Sequence, residues 1–85
     1  MEISNNQKEK LLQINEETNR MLIETEYKMN EIINKLEEYG DLNFYNLHYI
    51  KKNINKITCL LKHTDNINTI LYDEIRDGVV REKDN

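Results

Sequence analysis

Proline is absent from the 85 residues, and glycine occurs only at Gly40 and Gly78. These two residue types are the usual interrupters of a helix. Proline removes an amide and clashes with the preceding turn, and glycine has too much backbone freedom. Nothing therefore stops a helix from running for tens of residues on either side of Tyr39-Gly40-Asp41-Leu42-Asn43. Apolar residues recur at three- and four-residue spacing from Leu11 to Tyr39 and again from Leu47 to Val79. The fold class this pattern predicts is all-α: an antiparallel two-helix hairpin, coiled-coil-like, completed to a helical bundle by self- or hetero-association. The predicted domain is a single hairpin, with helices over about 5–39 and about 45–78, a turn over about 40–44 and a frayed tail over about 79–85.

The ends of the first helix carry their own signals. Ser4 and Gln7 have capping-box spacing, with Ser4 placed to accept from the amide three residues on and Gln7 to reach back. Gly40 suits the left-handed position that closes a helix, Leu42 is placed to fold back on Leu36, and Asp41 or Asn43 is expected to cap the second helix. In heptad terms Asn15, Leu22, Met29 and Leu36 fall at a, with Leu11, Thr18, Thr25, Ile32 and Tyr39 at d. Leu12 and Ile33 widen the stripe at e, as Ile14 and Met21 do at g. In the second helix Leu47, Ile54, Leu61, Asn68 and Ile75 fall at a, Ile50, Ile57, Thr64 and Leu71 at d, and Leu60 and Ile67 at g.

Two features predict that the helices pair with each other. Folding at Gly40 lays an acidic stretch (Glu24, Glu26, Glu31, Glu37, Glu38) beside a basic one (Lys51, Lys52, Lys56, Lys62), with Lys8 and Lys10 near Asp73, Glu74 and Asp77. The same fold sets Asn15 and Thr18 opposite Thr64 and Asn68. A buried polar layer of this kind costs stability but fixes register and oligomer state. On that reading Asn68→Leu is expected to raise thermal stability and loosen oligomer specificity. The residues expected to hold the hairpin are Leu22, Met29, Ile32, Leu36, Ile50, Ile54, Ile57 and Leu61.

Composition narrows the function. The chain is 38% hydrophobic and 33% charged, too apolar for a disordered tail yet lean for a self-sufficient core, which suits an assembling helix. The net charge of -4 disfavours a general nucleic-acid binder. Lys52, Lys56 and His63 share one side of the second helix as a local basic patch, but no aromatic residue interleaves it, so nucleic acid is an unlikely partner. Cys59 is the single cysteine and forms no internal disulfide; with no signal-peptide layout and no apolar run long enough for a transmembrane segment, the expected setting is cytoplasmic. The abundance of asparagine, isoleucine, lysine and tyrosine, without alanine, reads as codon usage in an AT-rich genome.

No enzyme is expected. His48 and His63 lack metal-ligand spacing, Cys59 has basic neighbours at Lys56 and Lys62 but no nucleophile-activating constellation, and the adjacent acidic pairs point to different sides of a helix. No catalytic residue, metal site or cofactor is predicted. Apolar residues outside the stripe are the better clue. Ile23, Tyr27 and Ile70 would cost free energy left in water as a second stripe, and Phe44 and Tyr45 offer an aromatic anchor at the bend. These five are the predicted partner-binding residues.

Length, acidity and helix-turn-helix layout resemble the WXG100 family of type VII secretion, which implies an exported helical hairpin. This chain has Tyr39 directly before Gly40 where that family has tryptophan, any residue, then glycine, and Tyr72 is followed four residues on by Arg76 where the family has an acid. The layout also resembles short coiled-coil subunits of eukaryotic multi-subunit assemblies. The function expected first is a non-enzymatic protein-protein interaction module, a small coiled-coil subunit of a homo- or hetero-oligomer. The alternatives are a small bacterial or viral regulator or inhibitor that binds a protein target, and a WXG100-like secretion substrate.

Overall fold

The computed structural model describes residues 1–40 and 43–83. It consists of two helices packed against each other, α1 (Asn5–Tyr39, 35 residues) and α2 (Tyr45–Asp77, 33 residues). At about 1.5 Å per residue each helix is about 50 Å long, and the molecule measures 55 × 26 × 14 Å. Its thickness is that of one helix layer.

The caps explain where the helices begin and end. Ser4 Oγ accepts from the Gln7 amide at 3.2 Å and Gln7 Oε1 from the Ser4 amide at 2.9 Å, so two amides that have no helical partner are satisfied reciprocally. Gly40 closes α1 with φ 76°, its amide donating to Leu36 O at 3.3 Å. Gly78 closes α2 with φ 79°; its amide donates to Ile75 O and that of Val79 to Glu74 O, the paired bonds of a Schellman motif. The expected contact of Leu42 with Leu36 and the expected Asp41 cap fall outside the described residues. The N-cap position of α2 is taken by Phe44, which makes no side-chain capping bond, rather than by Asn43.

A Cβ at position 40 would meet only Glu38 O, at 3.9 Å, so the site has space. The left-handed backbone alone sets the penalty, and Gly40→Ala is expected to destabilise the chain by about 1 kcal/mol. Gly40→Asn should cost less. Chemical denaturation of the two variants checks the order.

The open end of the hairpin is tied across by residues 1–3 and 78–80. Ile3 N donates to Gly78 O at 3.1 Å, Val80 N to Met1 O at 2.9 Å, and Glu2 forms an antiparallel bridge with Val79. Val79 and Val80, expected in a frayed tail, thus lie beside the start of the chain, Val79 bridged to Glu2 and Val80 hydrogen-bonded to Met1. The next residue, Arg81, donates its amide to Glu74 Oε2 at 2.9 Å.

Between the helices the core is thin. Leu22, Ile54 and Ile75 are buried, together with Asn15 and Asn68; the other a positions, Met29, Leu36, Leu47 and Leu61, are half-buried. The expected hairpin-holding residues Ile32, Ile50 and Ile57 are exposed. Near the bend their places in the seam go to the e positions, with Glu26, Ile33, Lys51 and Thr58 half-buried. The apolar residues of α1 span a, d, e and g and those of α2 mainly a, d and g, arcs wider than one neighbouring helix covers, so packing decides which edge stays wet. On α1 the move from d to e follows the drift of about 20° per heptad that a straight helix makes against a seven-residue repeat. On α2 the shift runs the other way along the chain, so both helices meet on their e side near the bend and on their d side near the clasped end.

Among the described residues the charge blocks meet at one ion pair: Lys51 Nζ lies 3.2 Å from Glu37 Oε1 across the seam. At the far end Arg76 pairs within its own helix with Asp73 and Asp77.

Candidate functional site

Asn15 and Asn68 form the only described polar layer with bonds running both ways across the helices. Asn15 Nδ2 donates to Asn68 O at 2.7 Å and to Asn68 Oδ1 at 2.9 Å, and Asn68 Nδ2 donates back to Asn15 O at 3.1 Å. The two side chains are 7% and 8% exposed, and no buried side-chain nitrogen or oxygen among the described residues lacks a partner. Of the threonines expected beside them, Thr18 is half-buried, whereas Thr64 is exposed and turns its hydroxyl to Leu60 O at 3.0 Å. The asparagine pair fixes α1 and α2 in register, because sliding one helix by a heptad would set Asn15 against Leu61 or Ile75.

With the seam defined, the two broad sides of the hairpin differ sharply. In an antiparallel pair the d and g positions of both helices project to one side and the b and e positions to the other. The b/e side is mostly polar, and Glu16, Asn19, Thr69 and Tyr72 line one shallow concavity there around the asparagine pair. On the d/g side, Val80 lines a concavity with Lys10 and Leu11 of α1 and another with Ile67 and Leu71 of α2, which places these edges on one face. Along that face α1 exposes Ile14, Met21 and Ile32, with the lysines Lys28 and Lys35 at the g positions nearer the bend. Facing the same way, α2 exposes Ile50, Ile57, Leu60 and Ile67. The hairpin is therefore amphipathic as a layer, with one open face that is mainly apolar and is interrupted by Lys28 and Lys35.

All five residues predicted to bind a partner are exposed, but they do not form one patch. Ile23 and Tyr27, at b and f, lie on the polar side and outer edge of α1, whereas Ile70, at c, borders the apolar face on α2. Phe44 and Tyr45 separate at the bend: Phe44 lies 6.3 Å from the Tyr39 ring, and Tyr45 lies 4.8 Å from Tyr49. Hydrogen bonding to Tyr49, with a smaller contribution from burial, holds the Tyr45 hydroxyl above the usual tyrosine range. Lys52 Nζ sits 6.0 Å over the Tyr49 ring. The d/g residues were assigned from sequence to the seam, which hid the face they make. The signal was present in the width of the arc, since a helix apolar at g as well as at a and d has more to bury than one neighbour accepts.

No family model matches the chain, and no curated protein or solved structure is significantly similar to it. The chemistry of the surface therefore carries the functional argument. Among the described residues no group of three or more histidine, cysteine, aspartate or glutamate side chains is placed to hold a metal ion, and no helix is long and apolar enough to cross a membrane. Cys59 is a free, exposed thiol.

Proposed function

We propose that this chain is a non-enzymatic protein-protein interaction module, a helical-hairpin subunit that acts by burying its open face against other helices in a coiled-coil or helical-bundle assembly. The observation that supports it is the row of exposed isoleucine, leucine and methionine on one side of a body one helix thick. Globular domains are built from at least two layers around a shared core, and a single layer with a greasy side is half of such an arrangement. The radius of gyration points the same way, 17.9 Å against about 12 Å for a compact chain of this length. The free thiol of Cys59 suits a reducing compartment, and the cytoplasm is the proposed setting.

The test is the purified chain followed by circular dichroism and sedimentation over a wide dilution series. Helicity and melting temperature are expected to fall as association is diluted away. Replacing Ile57 and Leu60 together by glutamate should weaken association by at least about a hundredfold, since each side chain contributes roughly 1.5–3 kcal/mol when buried. Both positions lie outside the seam, 40% and 64% exposed. A monomer that melts cooperatively, at a temperature independent of concentration, would overturn the proposal.

A further inference from the structure

We infer that the occupant of the open face is a second copy of this chain, related by a twofold axis running along the helices, so that α1 of each copy lies on α2 of the other. The inference rests on the proposed function and adds the identity and geometry of the partner.

Area is the first argument. A compact monomer of this mass exposes about 5,400 Å², whereas the hairpin exposes 7019 Å², roughly 1,600 Å² more per copy. Two copies hiding that excess from each other would bury about 3,200 Å² in total, within the range of obligate homodimers. One further layer of the same size is enough.

Symmetry and charge choose the axis. Two copies meeting through the same face are related by a twofold axis lying between the layers, directed either along the helices or across them. With the axis along the helices every residue keeps its height, so α1 meets the partner's α2 in the register already set by Asn15 opposite Asn68 and Glu37 opposite Lys51. With the axis across, α1 meets the partner's α1.

The c positions border the open face on its outer edges. On α1 that border carries Glu17, Glu24, Glu31 and Glu38, all exposed, with Lys10 at its start and Lys28 and Lys35 beside it at g. On α2 it carries Tyr49, Lys56, His63 and Ile70, and becomes acidic only at Asp77. The axis along the helices brings Glu31 beside the partner's Lys56, Glu24 beside the partner's His63, and Lys10 beside the partner's Asp77. The axis across the helices, centred so that Ile57 meets the partner's Leu60, stacks the acidic border on itself, with Glu24 facing the partner's Glu24. The opposite charges of Glu31 with the partner's Lys56 and of Lys10 with the partner's Asp77 favour the first arrangement, and like charges penalise the second.

The experiment uses the full chain with Cys59→Ser and a spin label on Asn46→Cys, an exposed g position in the first turn of α2. Sedimentation should give a dimer. The inter-label distance should be within roughly 20 Å when both bends lie at the same end of the assembly, and roughly 40 Å with the axis across the helices. Glu31→Lys should weaken the dimer roughly three- to tenfold, and adding Lys56→Glu in the same chain should restore it. A long distance, an assembly larger than a dimer, or tighter association on Glu31→Lys alone overturns the inference and leaves the interaction-module reading standing. A monomer with low, poorly cooperative helicity also overturns it, since the face then needs a different protein. Only the concentration-independent cooperative monomer overturns both.

Discussion

Ile75→Ala should lower the free energy of unfolding by about 2–5 kcal/mol, the range for a large aliphatic side chain truncated in a packed site. Ile75 is 0% exposed, whereas most apolar side chains here keep a wet flank. It lies one turn before the Gly78 cap, its carbonyl accepts the Gly78 amide, and the clasp between Met1–Ile3 and Gly78–Val80 closes over that end of the hairpin. A cavity there has few ways to collapse, because the backbone around it is held by hydrogen bonds from both ends of the chain. For a chain of this size each kcal/mol corresponds to roughly 4–8 °C in melting temperature, so the variant should melt at least about 10 °C lower at the same chain concentration. Ile23→Ala is the comparison. Ile23 is exposed on the polar side, and its truncation should stay within about 0.5 kcal/mol. Equal effects for the two variants would mean that the clasped end is not the rigid part of the molecule.

Asn68→Leu should also destabilise, by about 1–3 kcal/mol, and Asn15→Leu combined with it should recover most of the loss. Sequence reasoning expected the single variant to be stabilising, on the ground that leucine packs better in an apolar seam. The hydrogen bonds reverse that sign. Leucine at 68 removes the Oδ1 acceptor and the bond that Asn68 Nδ2 returns to Asn15 O; Asn15 Nδ2 keeps its bond to the backbone carbonyl of residue 68, but its second hydrogen is left buried without an acceptor. Removing both replaces a satisfied polar layer by an apolar one, which is often neutral or favourable. Thermal melts of the two singles and the double close the cycle, and the coupling energy should exceed about 1 kcal/mol. The double variant should also lose uniqueness of register, visible as broadened amide resonances. A single Asn68→Leu that melts higher than the wild type would sink the account of this layer.

The helices, their caps and their turn were legible because they depend on neighbours in sequence. Ser4 and Gln7 satisfy each other within one turn, Gly40 and Gly78 take the backbone conformation that only glycine adopts freely, and the absence of proline leaves the intervening hydrogen-bond ladders intact. The pairing of Asn15 with Asn68 was legible for a related reason. Once the fold-back point is known, antiparallel geometry assigns each position its opposite number, and a polar residue in an apolar stripe stands out. The candidate interaction site was not legible in this way. Ile32, Ile50 and Ile57 carry the same heptad letter as the half-buried Leu11 and Leu71, and nothing local distinguishes them.

Sequence by itself thus determined that two long helices form, where they stop, and which asparagines meet between them, since each depends on short-range hydrogen bonding or on periodicity along one chain. Tertiary structure alone decided which edge of each apolar arc the neighbouring helix covers. That choice depends on how the two cylinders are rolled against each other. Near the bend the roll turns Lys51 and Thr58 inward and leaves Ile50 and Ile57 in water. It also tethers Val79 and Val80 across the open end and gathers the uncovered residues of both helices on one side. A single helix has no sides until another is laid against it, so the face proposed here to bind is a property of the pair.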